Sequence, residues 1–136
     1  RIKFREEAFA TIREFFQASA NEIGAIDGVR SLFRQLGAYS FTCTVINEAF
    51  GRGVAHITVH MSTDRHGMGD IFWSNEENAE RNTSNGSWSI GHTEYDQHLE
   101  GGDYSFGGER RRGFAPKGAA ELMWNGFIER AGISHA

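Results

Sequence analysis

Four ionisable side chains stand at alternate positions within the stretch Ser87–Glu100: His92, Glu94, Asp96 and His98. Alternate residues of a β-strand project from the same face, so an extended chain here would carry all four on one face. Neighbours in such a row have Cα atoms about 6.5–7 Å apart, whereas its two ends are about 20 Å apart. The row therefore predicts at most half of a catalytic or binding site, which a second segment must complete.

Two hydrolytic chemistries fit this half-site. In metal-free cleavage of a phosphodiester, Glu94 and either His92 or His98 act as base and acid, because one group must deprotonate the nucleophile and another must protonate the leaving oxygen. In metal-assisted hydrolysis, Asp96 or Glu94 ligates a hard divalent cation such as Mg²⁺ while a histidine transfers the proton. The alternative interpretation is a solvated polar strand face, which is typical of antiparallel sheets.

The glycine-rich segment Asp103–Gly113 contains three consecutive arginines, Arg110–Arg112. A planar guanidinium binds a phosphate through two parallel hydrogen bonds, and glycines let the backbone approach an anion. We therefore predict that Arg111 and Arg112 bind a substrate phosphate beside the ionisable row. Adjacent arginines on a loop are also an ordinary solubility feature, and in that case they have no such role.

Three short segments resemble the catalytic region of colicin M-type bacteriocins: NGSW at Asn85–Trp88, then Asp103–Phe106 and Arg111–Gly113. The resemblance implies hydrolysis of the pyrophosphate linkage of a lipid-linked cell-wall precursor, with magnesium as cofactor. It also implies a secreted antibacterial effector that reaches the bacterial periplasm, with a cognate immunity protein as partner.

This sequence departs from the pattern of that family. Tyr104 and Arg112 stand where the family has tyrosine and arginine, but Ser105 replaces an aspartate and Arg111 replaces a histidine. The resemblance thus implies either substitute catalytic groups or a lost activity. The substitutes available in this part of the sequence are Asp96, His98 and Asp103.

The leading hypothesis is therefore a small, toxin-like hydrolase of a phosphodiester or pyrophosphate bond, acting on a lipid-linked precursor or on RNA. The formal net charge of −4 mildly disfavours RNA, because binding through phosphates needs a basic surface.

Cys43 suggests a second hypothesis, a Cys–His amidase or peptidase. A cysteine at the start of a helix has a lowered thiol pKa, and His92 could then serve as the base. However, the residues from Tyr39 to Val45 alternate as they would in a strand, and this pattern favours a buried Cys43 that packs as a small apolar residue.

A third hypothesis is a binding module without enzymatic activity, such as an inhibitor or an immunity protein. The polar face of the sheet would then be the interface with its partner.

The composition is that of one globular domain covering residues 1–136, with 39% hydrophobic residues and a single cysteine. No apolar run approaches the roughly 18 residues that would predict a transmembrane helix.

The elements that must position these residues follow an α+β order. Apolar spacing predicts a helix over Phe4–Ile23, a second one after Asp27, and a closing helix from Pro116. Alternation predicts an antiparallel sheet of about four or five strands between them. These strands are Ala38–Ile46, Gly53–Met61, Asp70–Trp73, Ser87–Glu100 and a start at Asp103–Phe106.

Overall fold

A computed structural model of the chain describes residues 2–49, 53–62, 70–76, 84–92, 96–103 and 111–134. These residues form two helices and seven strands. The elements in chain order are α1 (Ile2–Ile23), β1 (Val29–Gly37), β2 (Ser40–Asn47), β3 (Gly53–Met61), β4 (Ile71–Ser74), β5 (Gly86–His92), β6 (Gln97–Asp103), β7 (Arg111–Phe114) and α2 (Pro116–Glu129).

The seven strands form one antiparallel sheet in which each strand pairs with the next strand of the chain, in the order β1 to β7. The helices at the two ends of the chain agree with the prediction from sequence. The prediction of two N-terminal helices and of four or five strands is wrong, because the second predicted helix is a strand and the sheet has seven members.

Strand β1 replaces that second helix. Its apolar residues Val29, Leu32, Phe33 and Leu36 have helical spacing, yet the segment pairs with β2 from Val29 to Gly37, with an irregularity between Gln35 and Gly37. The spacing arises because Val29 and Phe33 face the helices while Leu32 and Leu36 lie on the opposite, exposed side. Backbone pairing within the sheet outweighs this local pattern.

The sheet gains a further strand because Ser87–Glu100 is not continuous. The chain leaves β5 at His92 and returns in the antiparallel β6 from Gln97, with Gly91 opposite His98. The arginine-rich segment contributes the seventh strand, since Arg111 pairs with Gly101.

Both helices pack on one face of the sheet, which we call the inner face. The ring of Phe16 in α1 contacts Phe41 of β2 at a centroid distance of 5.4 Å, and it contacts Trp124 and Phe127 of α2 at 5.3 and 5.9 Å. The inner residues of β2 and β3 alternate along each strand and are buried beneath the helices. They are Phe41, Cys43 and Val45 in β2, and Ala55, Ile57 and Val59 in β3. One hydrophobic core therefore joins the helices to the sheet.

The end of α2 is fixed to the β2–β3 hairpin. Asn47 Nδ2 donates a hydrogen bond to the carbonyl oxygen of Ala131 at 3.1 Å. Gly53, which lies opposite Asn47 in the ladder, also approaches Ala131 so closely that a Cβ there would collide with its backbone. This close approach explains why a glycine begins β3.

A buried ion pair joins α1 to the sheet. Arg5 Nη1 lies 3.4 Å from Asp70 Oδ1, and the two side chains are 10% and 2% exposed. Asp70 Oδ2 also accepts a hydrogen bond from the backbone amide of Ile90 at 2.9 Å. Asp70 thus links α1, β4 and β5. None of the helices formed by the described residues is long and apolar enough to cross a membrane.

Candidate functional site

The outer face of the sheet, opposite the helices, is polar. Directly paired residues lie on the same face of a sheet, so the pairing of Thr42 with Thr58 and of Thr58 with Ser74 places three hydroxyl groups in one row across β2, β3 and β4. Thr58 and Ser74 are fully buried and Thr42 is 3% exposed. This row, which we call the hydroxyl row, is unusual because antiparallel sheets commonly expose their polar face to water.

Hydrogen bonds satisfy two members of the hydroxyl row. Thr42 Oγ1 donates to the carbonyl oxygen of Ile57 at 3.0 Å, and Thr58 Oγ1 donates to the carbonyl oxygen of Glu76 at 2.6 Å. The two threonine oxygens lie 3.3 Å apart. Ser74 Oγ is buried and has no hydrogen-bond partner within the described part of the chain. A buried hydroxyl without a partner costs free energy.

Two histidines occupy the same outer face on β3. His56 Nδ1 lies 2.9 Å from Thr44 Oγ1, within hydrogen-bonding distance. His60 is 4% exposed, and its ring contacts Phe72 of β4 at a centroid distance of 5.3 Å. The two histidines are not neighbours, because their Cα atoms are four strand residues, about 13 Å, apart.

A more accessible group of polar side chains lies where β5 and β6 pair. Ser89 is opposite Glu100, and Gly91 is opposite His98, so all four residues share the outer face. Ser89, His98 and Glu100 are half-buried. We call Ser89, Gly91, His98 and Glu100 the Gly91 patch.

The ends of two side chains converge above Gly91. A Cβ atom built at Gly91 would lie 2.5 Å from His98 Nε2 and 2.9 Å from Glu100 Oε1. Any other residue at this position would therefore displace an imidazole and a carboxylate from the space they share. Glycine is otherwise unfavourable within a strand, and it often marks a close approach to the backbone. The Gly91 patch thus presents a hydrogen-bond acceptor and a titratable ring at one point.

The predicted row of four ionisable groups does not form. His92 pairs with Gln97 at the end of β5, while His98 pairs with Gly91, so His92 and His98 belong to opposite faces of the sheet. Asp96 is exposed in the turn before β6, where its Oδ1 accepts a hydrogen bond from the amide of Gln97 at 2.9 Å. Glu94 lies outside the described residues. Among the described members of the row, only His98 thus contributes to the Gly91 patch.

The part of the arginine-rich segment that forms β7 lies next to β6. Strand β7 begins at Arg111 and pairs with β6, the strand that carries His98 and Glu100. Arg112 is the second residue of β7. Asp103 ends β6 opposite Gly86, at the far end of that strand from His98. Tyr104 and Arg110 lie outside the described residues.

The structure separates Cys43 from His92. Cys43 is fully buried on the inner face of β2, between Phe33 and Ile57 of the neighbouring strands. Three strand spacings, about 14 Å, lie between β2 and β5. Burial raises the pKa of the Cys43 thiol to about 12, so the thiol is protonated at neutral pH. The predicted strand with a buried Cys43 is confirmed, so Cys43 does not begin a helix and is not placed beside His92.

The predicted magnesium site has no ligand set within the described ranges. No three histidine, cysteine, aspartate or glutamate side chains gather there in a way that could hold a metal ion. The side chain of Asp96 is engaged with the amide of its neighbour.

Sequence reasoning overlooked Ser89, Gly91 and Glu100. These residues belong to the stretch Ser87–Glu100. The prediction of one continuous strand there placed His98 beside Asp96 rather than beside Gly91 and Glu100. The signal that could have found them is the strand-interior glycine, since Gly91 interrupts a run that otherwise favours extended structure. The alternation in β2 and β3 predicts that Thr42 and Thr58 lie on the polar face of the sheet. It does not predict that they are buried.

Comparison with known proteins identifies the family. Residues 30–129 match the family described as the Y4lF protein domain. The match runs from the second residue of β1 to the last residue of α2, so it contains the complete sheet apart from Val29 and leaves out α1. This chain belongs to the Y4lF family.

A relative from a rhizobial bacterium supports this assignment. The chain is 38% identical over 114 residues to a protein of Sinorhizobium fredii (strain NBRC 101917 / NGR234) described as uncharacterized protein y4kM. The alignment covers 82% of this chain and 96% of that relative. No solved structure matches the chain.

Proposed function

We propose that this chain is a binding module whose ligand contacts the Gly91 patch on the outer face of the sheet. The observation that supports this proposal is the convergence of His98 Nε2 and Glu100 Oε1 above Gly91. The two groups share a space that only glycine leaves open, and both side chains remain half-buried rather than covered. Binding sites commonly combine a few convergent polar groups of this kind on a rigid element.

The chemistry of the patch favours a ligand that donates hydrogen bonds. A carboxylate such as that of Glu100 only accepts hydrogen bonds, whereas the hydroxyl of Ser89 and a neutral imidazole can both donate and accept. Ser89 and Glu100 are direct cross-strand neighbours, with Cβ atoms about 5 Å apart. The patch therefore has the size of one small polar group, such as a hydroxylated ring or an amine.

The test is a titration of the isotope-labelled protein with methyl glucoside, a neutral probe rich in hydroxyl groups, followed by NMR. We expect saturable shifts of the backbone amides of residues 89–91 and 98–100. Replacement of Glu100 by Gln should weaken binding by about tenfold, because a hydrogen bond to a charged acceptor is lost. Thr44→Val, on the same face but at β2, should leave the affinity unchanged.

Two results would refute binding at the Gly91 patch. In the first, the shifts fall outside β5 and β6. In the second, Glu100→Gln and Thr44→Val bind the probe equally well.

Phosphoester hydrolysis is a second candidate, and one specific observation favours it. His98 and Glu100 are an imidazole and a carboxylate at one point, as general acid–base catalysis requires. The substrate would be a phosphodiester or a lipid-linked pyrophosphate, as the sequence resemblance implies.

Hydrolysis of bis(p-nitrophenyl) phosphate tests this second candidate. Activity that is lost in both His98→Gln and Glu100→Gln, and kept in Thr44→Val, would establish it. Absence of hydrolysis together with binding of methyl glucoside would leave the binding module as the function. The Cys–His amidase is not supported, because Cys43 is buried and its strand β2 is three strands away from β5, which carries His92.

A further inference from the structure

Strand β1 forms the first edge of the sheet, since its neighbour in the strand order is β2 alone. It has nine residues, whereas β7 at the opposite edge has four. Of the five large apolar side chains that are well exposed in the described part of the chain, four lie in or beside β1: Ile26, Leu32, Leu36 and Tyr39. Natural proteins usually shorten, cover or charge a sheet edge, so a long edge flanked by exposed apolar side chains indicates an interaction surface.

Two hydrogen bonds show which backbone groups of β1 point away from β2. The amide of Glu48 donates to the carbonyl oxygen of Gly28 at 2.7 Å, and the amide of Met61 donates to that of Tyr39 at 2.8 Å. Hydrogen-bonded pairs alternate along an antiparallel ladder, so the even-numbered residues of β1 bond to the even-numbered residues of β2, and the odd-numbered residues of β2 bond to β3. Three odd-numbered residues of β1 therefore direct their N–H and C=O groups to the free edge: Ser31, Phe33 and Gln35.

Antiparallel pairing of β1 with a second copy of itself favours one register. The register that places Phe33 opposite its own copy pairs all nine residues, because Phe33 is the central residue of β1. It also places Leu32 of one copy opposite Arg34 of the other. A shift of two residues places either Arg30 opposite Arg34 or Arg34 opposite its own copy. Like charges directly opposite destabilise a strand pair, so the charges select the register centred on Phe33.

Phe33 lies at the rim of the hydrophobic core. Its ring contacts Phe41 at a centroid distance of 5.3 Å, and its side chain is half-buried. In the centred register, the two copies of Phe33 would be direct cross-strand neighbours with Cβ atoms about 5 Å apart, so that each ring covers the exposed part of the other. The pairing needs no arginine as an ion-pair partner, so the ion pair between Arg30 and Glu48 is kept.

We propose that two copies of this chain pair through β1 about a two-fold axis at Phe33, and that their two seven-stranded sheets form one continuous antiparallel sheet. Antiparallel strands bring the start of one beside the end of the other, so Ile26 of one copy would lie near Tyr39 of the second copy. A two-fold interface closes on itself, whereas pairing of β1 with the shorter β7 of a neighbour would generate an open row of sheets.

Sedimentation velocity and amide hydrogen exchange of the wild-type protein, each at low and high concentration, test this proposal. We expect a reversible equilibrium between monomer and dimer. As the dimer forms, hydrogen exchange at the amides of Ser31, Phe33 and Gln35 should slow by about tenfold or more, because these amides gain hydrogen bonds only in the dimer. The amides of Leu32 and Arg34, which bond to β2 in the monomer as well, should be protected at both concentrations.

Two substitutions at Leu32 test the register. Leu32 is 56% exposed, so both variants should fold. In the dimer, Leu32→Lys places a like charge opposite Arg34 at two symmetric positions, whereas Leu32→Glu places an opposite charge there. We expect Leu32→Glu to dimerise about tenfold or more tightly than Leu32→Lys. Val54→Lys, at an exposed apolar position on the same face of β3, is the control and should change the dimer affinity by less than about twofold.

The proposal is overturned if the wild-type protein stays monomeric up to about 1 mM, because the edge is then free for a different protein. It is also overturned if Leu32→Glu weakens the dimer as much as Leu32→Lys does, or if Val54→Lys weakens it equally. A dimer that leaves the amides of Ser31, Phe33 and Gln35 in fast exchange, or an assembly that grows beyond a dimer, contradicts it as well.

Discussion

Ser74 lies directly opposite Thr58 on the neighbouring strand, and both side chains are completely buried on the face of the sheet opposite α1 and α2. Thr58 donates a hydrogen bond to the carbonyl oxygen of Glu76, whereas Ser74 Oγ has no partner within the described part of the chain. Two adjacent hydroxyl groups in the same row therefore contribute differently to stability.

The first prediction concerns this difference. Ser74→Ala should raise the free energy of unfolding by about 1 kcal/mol, because it removes a buried hydroxyl that has no compensating hydrogen bond. Urea denaturation measures the change. Ser40→Ala, at a half-buried position of the same face, should change stability by less than about 0.5 kcal/mol. A loss of stability in Ser74→Ala would show that the hydroxyl is satisfied in the folded protein.

The second prediction concerns the ion pair between α1 and the sheet. Asp70→Asn should lower the free energy of unfolding by about 3–5 kcal/mol, because it leaves the Arg5 guanidinium buried without its counterion. Thermal and urea denaturation both report the loss. Combining Asp70→Asn with Arg5→Met should recover part of the stability. If the double variant is no more stable than Asp70→Asn, the two residues do not act as a pair.

The third prediction uses two glycines as a matched pair. Gly53→Ala should be strongly destabilising, by about 2 kcal/mol or more, because the new Cβ meets the backbone of Ala131 and that backbone cannot yield cheaply. Gly126→Ala, within α2 and with no atom within 4 Å of the new Cβ, should stabilise by about 1 kcal/mol. Equal effects of the two changes would contradict the docking of α2 on the β2–β3 hairpin.

The fourth prediction concerns the buried thiol. The pKa of Cys43 is about 12 in the folded protein, against an ordinary value of 9.0, so unfolding releases a proton between these pH values. The stability that this group contributes is complete below pH 9 and is lost as the pH rises towards 12. Relative to Cys43→Ala, the wild-type protein should lose about 1.4 kcal/mol per pH unit above 9.

Urea titrations at pH 8, 9 and 10 of both proteins check this dependence. Iodoacetamide at neutral pH should modify Cys43 slowly in the folded protein and rapidly in urea. Rapid modification of the folded protein would contradict the burial of the thiol and would revive the amidase hypothesis.

Elements with a single strong period could be predicted from the sequence. Helix α1 was predicted over Phe4–Ile23 and extends over Ile2–Ile23, and β3 has the predicted bounds Gly53–Met61. In both cases, one apolar face packs on the core, so the pattern and the burial coincide. The closing helix begins at Pro116 as predicted, since proline suits the first turn of a helix.

Edges and unmarked turns could not be predicted in this way. Strand β1 has apolar residues on both faces, and those on its outer side are exposed at the edge of the sheet. Apolar residues from the two faces together give the three- and four-residue spacing that is typical of a helix. The chain reverses between His92 and Gln97 without a glycine or a proline to mark the turn. That reversal moves His92 and His98 to opposite faces, and it brings His98 together with Glu100 instead.

The most direct test of the central claim, that the Gly91 patch is a binding site, follows the imidazole of His98 during a titration with methyl glucoside. The Hε1 resonance of His98, assigned by comparison with His98→Gln, should shift saturably in the wild-type protein. In Gly91→Ala the response should be lost while stability changes by no more than about 1 kcal/mol, because the new Cβ meets only the ends of flexible side chains. An unchanged His98 resonance, or the same response in both proteins, would contradict the claim.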